Sequence, residues 1–294
     1  MGVTTAATGE VLARAAERLA MAGVPEARHE ADELYAALVC GATSRAFMDR
    51  DVPLPAILAE RLETAVERRA RGWPQAYATG RANFRGHWLA ADQRALIPRA
   101  ETETLVDLVI QWAGRYGASA GRMPVVADVG TGSGCIAIAL ALEAPVAGII
   151  ATDTSPDALN LAIENAAALG ATERISFRKG DLLAPLLGDP VDAVVSNPPY
   201  VATGECDWLH PTVRDFEPRL ALDGGVDGLG PTRRLAAEAF AVLPPGGLLA
   251  IEVDAGRADA SAAIMQHAGF DGVEIGEDLF GRPRTLLGRR GEER

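Results

Sequence analysis

The chain is 294 residues long, with 48% hydrophobic and 23% charged residues, ordinary proportions for a globular protein that buries a core. Lys and Arg number 28 against 40 Asp and Glu, and the net charge of −12 argues against a broad nucleic-acid-binding face. Cys40, Cys135 and Cys206 are far apart with no CxxC pair, and the four histidines form no HExxH pattern, so neither a disulfide framework nor a metal site is expected.

The first ten residues, MGVTTAATGE, have no basic-then-apolar leader, and Ala6 stands where myristoylation needs Ser or Thr. The apolar stretches fall short of a membrane span, so a cytoplasmic protein without membrane contact is expected. Residues 8–72 read as a small helical bundle. Leu12, Ala15, Ala16 and Leu19 recur at helical spacing before Gly23. Ala27, Ala31, Leu34, Tyr35 and Leu38 do so before Gly41, and Leu58, Leu62, Ala65 and Val66 before Gly72. Nothing in this bundle has the residue types for chemistry, so it reads as a recognition or scaffolding domain. Residues 73–100 contain interspersed Gly and Pro and alternate like strands around Phe84 to Leu89, which predicts a linking hairpin.

From Glu101 onward, helix and strand patterns alternate. A helical stretch (102–112) precedes PVVADV (124–129), GIIAT (148–152), ISFR (175–178), DAVVS (192–196), GLLAIEV (247–253) and GVEI (272–275). Helical segments at 156–169 and 231–243 lie between strands, and 201–230 is a long insertion. The pattern predicts a doubly wound α/β sheet. The expected domains are 1–74, helical; 75–100, a hairpin linker; and 101–294, the α/β unit. Arg68, Arg69 and Arg71 read as cations complementing a helix C-terminus, and Arg282, Arg284, Arg289 and Arg290 as a solvated tail.

The first strand of the α/β unit runs into DVGTGSGCIAIALA. Gly130, Gly132 and Gly134 permit a tight turn and close approach of a ligand to backbone amides at the start of the next helix. Asp153 ends the second strand, 23 residues after Gly130, where a carboxylate can accept both hydroxyls of a ribose. A dinucleotide GxGxxG fingerprint would need glycine at Cys135, which disfavours a nicotinamide dehydrogenase. GTGSG after Asp128 is instead similar to the first motif of S-adenosylmethionine-dependent methyltransferases. GDLL (180–183) follows the third strand, where that fold contacts adenine.

The fourth strand leads into NPPY (197–200) at the ligand-binding edge of an open α/β sheet. Two prolines stiffen this exit and keep Asn197 and Pro198 out of a helix. The Asn197 side-chain oxygen and the Pro198 carbonyl are then placed to accept the two hydrogens of a planar NH2 group. Tyr200 is expected to pack on that planar substrate. With NPPY, the segments ALIPRAETETLV (95–106), YATGRANFRGHWL (77–89), DFEPRLALDGGVDGL (215–229) and DLFGRPRTLLGRR (278–290) resemble the HemK/PrmC family of release-factor glutamine methyltransferases over nearly the whole chain.

The resemblance implies a Rossmann-like seven-stranded methyltransferase domain, a helical substrate-recognition domain and a hairpin between them. It implies methylation of N5 of the glutamine in the GGQ motif of class I release factors. The methyl donor is S-adenosylmethionine, the product is S-adenosylhomocysteine, and no metal or direct nucleic-acid contact is implied. Gly130, Thr131, Gly132, Ser133, Gly134, Asp153, Asp181, Leu182 and Asn197 would bind the donor. Asn197, Pro198, Pro199 and Tyr200 would bind the glutamine, with Asn197, Pro198 and Tyr200 catalytic. Ala100 stands where the family has proline, Leu182 where an aromatic is common, and 251–260 lacks the family's usual glycine and glutamine. A paralogue acting on a ribosomal-protein glutamine and a DNA adenine-N6 enzyme are the competing readings. The second would need a basic phosphate groove, against which the net charge counts.

Overall fold

The computed structural model describes residues 6–186, 188–278 and 280–291. The reading of the leader region falls largely on residues 1–5, which lie outside the described residues. The chain divides into two compact units. The first comprises residues up to 83, with 88–93 and 210–216. The second comprises 84–87, 94–209 and 217 onward.

The first unit contains α1 (Thr8–Met21), α2 (Ala27–Leu38), α3 (Ser44–Met48), α4 (Ala56–Ala70) and α5 (Gln75–Thr79). The predicted stripes are its core: Leu12, Leu19, Ala31, Leu34, Leu62 and Val66 are buried together. Each of these leucines and the valine contributes roughly 1.5–3 kcal/mol on burial. The start of α1 is tied to the segment before α4, where the Thr8 hydroxyl donates to the Val52 carbonyl at 2.8 Å. At the end of α4, Arg69 pairs with Glu30 at 2.7 Å and donates to the Trp73 carbonyl at 3.3 Å. The Arg68 guanidinium lies over the Trp73 ring. A helical turn occupies 75–79 before the hairpin, β1 (Arg81–Phe84) and β2 (His87–Ala90).

The second unit is built on a seven-stranded sheet, among the described residues, in the order β5-β4-β3-β6-β7-β9-β8. The strands are β3 (Val125–Val129), β4 (Gly148–Asp153), β5 (Ile175–Lys179), β6 (Ala193–Ser196), β7 (Leu248–Glu252), β8 (Phe270–Glu277) and β9 (Pro283–Arg290). β3 to β7 are parallel, while β9 runs antiparallel to both β7 and β8. The central strands are apolar nearly throughout because helices cover both faces of a parallel sheet. Those helices are α6 (Glu101–Ala120), α7 (Cys135–Glu143), α8 (Pro156–Ala168), α10 (Gly230–Val242) and α11 (Ala258–His267); α9 (Pro211–Arg214) belongs to the first unit.

One expectation fails. The C-terminal arginines do not form a solvated tail, because β9 inserts between β7 and β8. Thr285 and Leu286 are fully buried, and Arg284 and Arg290 are half-buried beside them. Arg284 donates to the Val253 carbonyl at 3.4 Å, Arg282 pairs with Asp278 at 3.0 Å, and Arg290 lies over the Phe240 ring.

The register determines what emerges at the carboxyl edge. Val129 of β3 is level with Thr152 of β4 on one side and Ser196 of β6 on the other. Ser196 is level with Ile251 of β7. The next residue on each strand is Gly130, Asp153, Asn197 and Glu252. Four residues far apart in sequence therefore lie side by side at the switch point of the sheet.

Candidate active site

The turn after β3 is held by its own backbone. The amides of Gly130 and Thr131 both donate to the Thr152 carbonyl, at 2.8 and 2.9 Å. Gly130, Gly132 and Gly134 all have positive φ, where a side chain is strained. At Gly134 space adds a second constraint, since a Cβ would sit 3.0 Å from Ala162 Cβ. Asp128 supports the turn from inside, fully buried. Its Oδ2 accepts the Thr131 hydroxyl at 2.6 Å and the Ala137 amide at 3.0 Å. Burial pushes its pKa up to about 7, against the pull of the Thr131 bond. Burial likewise pushes the Cys135 thiol up to about 12, so it is unreactive near neutrality.

Asp153 faces this turn. Its Oδ2 accepts the Gly132 amide and its Oδ1 the Ser155 amide, each at 2.9 Å. Burial raises its pKa, and the Ser155 and Gly132 amides oppose the rise. A carboxylate oxygen has more than one acceptor direction, so each still has capacity for a ligand hydroxyl. Asp181 pairs with Arg234 at 2.7 Å. Leu182 has φ +46 and offers its carbonyl to the Thr152 hydroxyl at 3.1 Å.

The exit of β6 is held by side chains. Asn197 Nδ2 donates to Thr102 Oγ1 at 3.2 Å, and Thr102 Oγ1 donates to Glu252 Oε2 at 2.5 Å. The Tyr200 hydroxyl donates to Glu252 Oε1 at 3.3 Å. Burial raises the Glu252 pKa, while the Thr102 hydroxyl and then the Arg284 charge pull it down. Among the described residues, nothing donates to Asn197 Oδ1 or to the Pro198 carbonyl. The return leg of the insertion clamps the exit. Val201 donates to the Leu222 carbonyl at 3.0 Å, and Gly224 donates to Val201 at 2.7 Å. A Cβ on Gly224 would lie 2.7 Å from the Pro199 carbonyl oxygen, so only glycine allows this approach.

These parts surround one cavity of about 430 Å³, within the usual range for a small-molecule site. Gly130, Thr131, Gly132, Ser133, Asp153, Asp181, Leu182, Asn197 and Pro199 all line it. Gly134, Pro198 and Tyr200 are not on its wall: Gly134 packs on α8, Pro198 is buried, and the Tyr200 hydroxyl turns toward Glu252. Sequence reading missed Thr102, which lines the cavity, and Glu252, hydrogen-bonded to it. It also missed Glu217, which accepts from the Ile97 amide at 3.2 Å and from Arg99 at 2.6 Å. The available signal for Glu252 was its place as an acidic residue ending a strand otherwise wholly apolar. The donor set fits S-adenosylmethionine: spare carboxylate acceptors at Asp153 suit a ribose diol, and Leu182, Ile136 and Ala158 suit an adenine face.

The PrmC N-terminal domain family matches residues 10–80, and the Methyltransferase small domain family matches residues 119–225. The chain is 40% identical over 286 residues to the release factor glutamine methyltransferase of Moorella thermoacetica, covering 97% of this chain and 99% of that protein. The chain belongs to the release factor glutamine methyltransferase family. The Deinococcus radiodurans member is 42% identical over 282 residues, covering 96% and 98% of the two chains. The Cereibacter sphaeroides member is 40% identical over 280 residues, covering 95% and 97%. The hMettl16 catalytic domain, solved with a MAT2A 3'UTR hairpin, shares the fold: TM-score 0.54 and 17% identity, covering 81% of this chain and 83% of that one. This methyltransferase is an S-adenosylmethionine-dependent enzyme with the α/β architecture its sequence predicts. Among the described residues, no helix is long and apolar enough to cross a membrane, and no group of three His, Cys, Asp or Glu could hold a metal.

Proposed function

We propose that this chain methylates the side-chain amide N5 of the glutamine in the GGQ motif of class I release factors. The observation that carries the reading is the Asn197 amide, whose NH2 end is engaged by Thr102 while its oxygen is left to accept. The names of the relatives support the same substrate. S-adenosylmethionine, when bound, supplies an electrophilic methyl group on a sulfonium. Gly130, Thr131, Gly132, Ser133, Asp153, Asp181 and Leu182 would hold it, with Asn197 at the boundary of donor and acceptor. Gly134 serves this site by letting the turn pack on α8.

Asn197 Oδ1 and the Pro198 carbonyl each take one hydrogen of the glutamine NH2, with Pro199 and Tyr200 completing the subsite. No side chain has to remove a proton first, because an amide nitrogen becomes strongly acidic once alkylated. Breaking amide conjugation outright would cost about 18–20 kcal/mol, far beyond two hydrogen bonds at ~1 kcal/mol each. Alignment of the two reactants, about 7–11 kcal/mol, therefore carries more of the barrier. Residues 1–74 form the recognition domain in this reading, 75–100 the linking hairpin, and 101–294 the catalytic domain. Phe47, Met48 and Ile57 give the helical unit exposed apolar surface for a protein substrate.

Incubation with labelled methyl donor and a release factor, alongside its GGQ Gln→Ala variant, tests the site. Labelling of the unmodified factor alone is expected. Equal labelling of both would refute the assignment.

A further inference from the structure

We propose that Thr102 and Glu252 are positioning residues that set which end of the Asn197 amide faces the acceptor. This rests on the functional reading above, since it concerns the group that receives the glutamine NH2. The amide of asparagine is nearly symmetric in shape, but its two ends are chemically opposite: one accepts, the other donates twice. Turned the wrong way, Asn197 would present donors to a donor, and the acceptor nitrogen would be repelled. Something must choose the orientation.

The choice follows from counting protons. Glu252 as a carboxylate only accepts. Thr102 has one hydroxyl proton, and at 2.5 Å from Glu252 Oε2 that proton is committed to the carboxylate. Toward Asn197 the same oxygen can then only accept, so at 3.2 Å it must meet Nδ2 rather than Oδ1. The Tyr200 hydroxyl occupies the other carboxylate oxygen at 3.3 Å. Burial raises the Glu252 pKa, and the Thr102 hydroxyl and the Arg284 charge oppose that rise. Thr102 and Glu252 are each 1% exposed, so water does not scramble the pattern. The preference thus passes from β7 through the first turn of α6 to the exit of β6. Neither positioning residue needs to touch the glutamine.

Shape-preserving substitutions separate this role from packing. Thr102→Val deletes the hydroxyl at constant volume. Glu252→Gln keeps the shape but can donate to Thr102, freeing the threonine proton to meet Asn197 and reverse the amide. Each is expected to lower kcat about 10- to 100-fold toward the release factor, the scale of a small misplacement at the reacting centre. Donor affinity should change less than about threefold, and Thr102→Ser should recover most of the lost turnover. Thr102→Val with Glu252→Gln should be no worse than the poorer single variant, because both break one relay.

The chain has four asparagines, so a 15N-asparagine spectrum identifies the Asn197 side-chain amide by its loss in Asn197→Ala. Without any donor or acceptor, that signal should move in Thr102→Val and Glu252→Gln and return in Thr102→Ser. An unmoved signal, or full turnover in Thr102→Val, overturns the relay. If the unmodified chain labels no release factor, the functional reading fails separately, and the amide spectrum still decides the relay.

Discussion

At the exit of β3 the main chain makes the site: glycines with positive φ, two amides on the Thr152 carbonyl, and the Gly132 amide on Asp153. At the exit of β6, one strand away, side chains make it: Asn197 leans on Thr102, and Thr102 on Glu252. On the proposed function, the two exits answer different chemical needs. A methyl donor with a ribose and charged ends can be gripped by generic amides and a carboxylate. An uncharged NH2 group must be distinguished from its mirror in polarity, and that takes an amide fixed in one orientation. The difference also separates what each exit should lose on mutation.

The largest expected effect is at the side-chain exit. On the proposed function, Asn197→Ala removes an acceptor aimed at the reacting nitrogen, and turnover should fall about 10²–10³-fold. Donor affinity, measured by calorimetry, should change far less; a matching collapse of donor binding would erase the contrast between the exits. The backbone exit should respond the opposite way. Gly134→Ala forces a side chain into φ +83 against Ala162 and should cost roughly 1–3 kcal/mol of stability in denaturant unfolding. Donor affinity should fall with it, while turnover at saturating donor stays nearer normal.

The effect smallest at any one pH step is a pH dependence beneath the backbone exit. Asp128 has a pKa near 3.8 when unfolded and about 7 in the fold, so the folded state binds more protons between those values. Its contribution to stability is therefore greatest below pH 4 and declines as pH rises toward 7, by at most ~1.4 kcal/mol per pH unit. Asp128→Asn, which cannot ionise, should flatten that slope. Unfolding midpoints at pH 4, 5.5 and 7 that run parallel in both proteins would show that Asp128 is already charged in the fold.

The same contrast explains what could be read from the sequence. The glycine turn, Asp153 and the NPPY exit announce themselves because each is a local pattern whose spacing has one structural use. Thr102 and Glu252 stand 95 and 55 residues from Asn197 and carry no local pattern. Only the β6–β7 register and the seat of α6 bring them together. The strand β9 was hidden by its arginines, whose charge suggested solvent although Thr285 and Leu286 between them are fully buried. The turn at 75–79 was obscured by the Gly and Pro around it. Local chemistry is legible in one dimension, whereas relays assembled across a sheet are not.

The alignment of Val129 with both Thr152 and Ser196 has a mechanical corollary. Ladder pairing moves in whole steps of about 3.3 Å, and a single step also turns every side chain to the opposite face. The exits of β3 and β6 therefore cannot drift apart gradually while the sheet remains paired. Heat or denaturant should abolish methyl transfer in the same sharp transition that melts the central strands, with no broad regime of folded but misaligned enzyme.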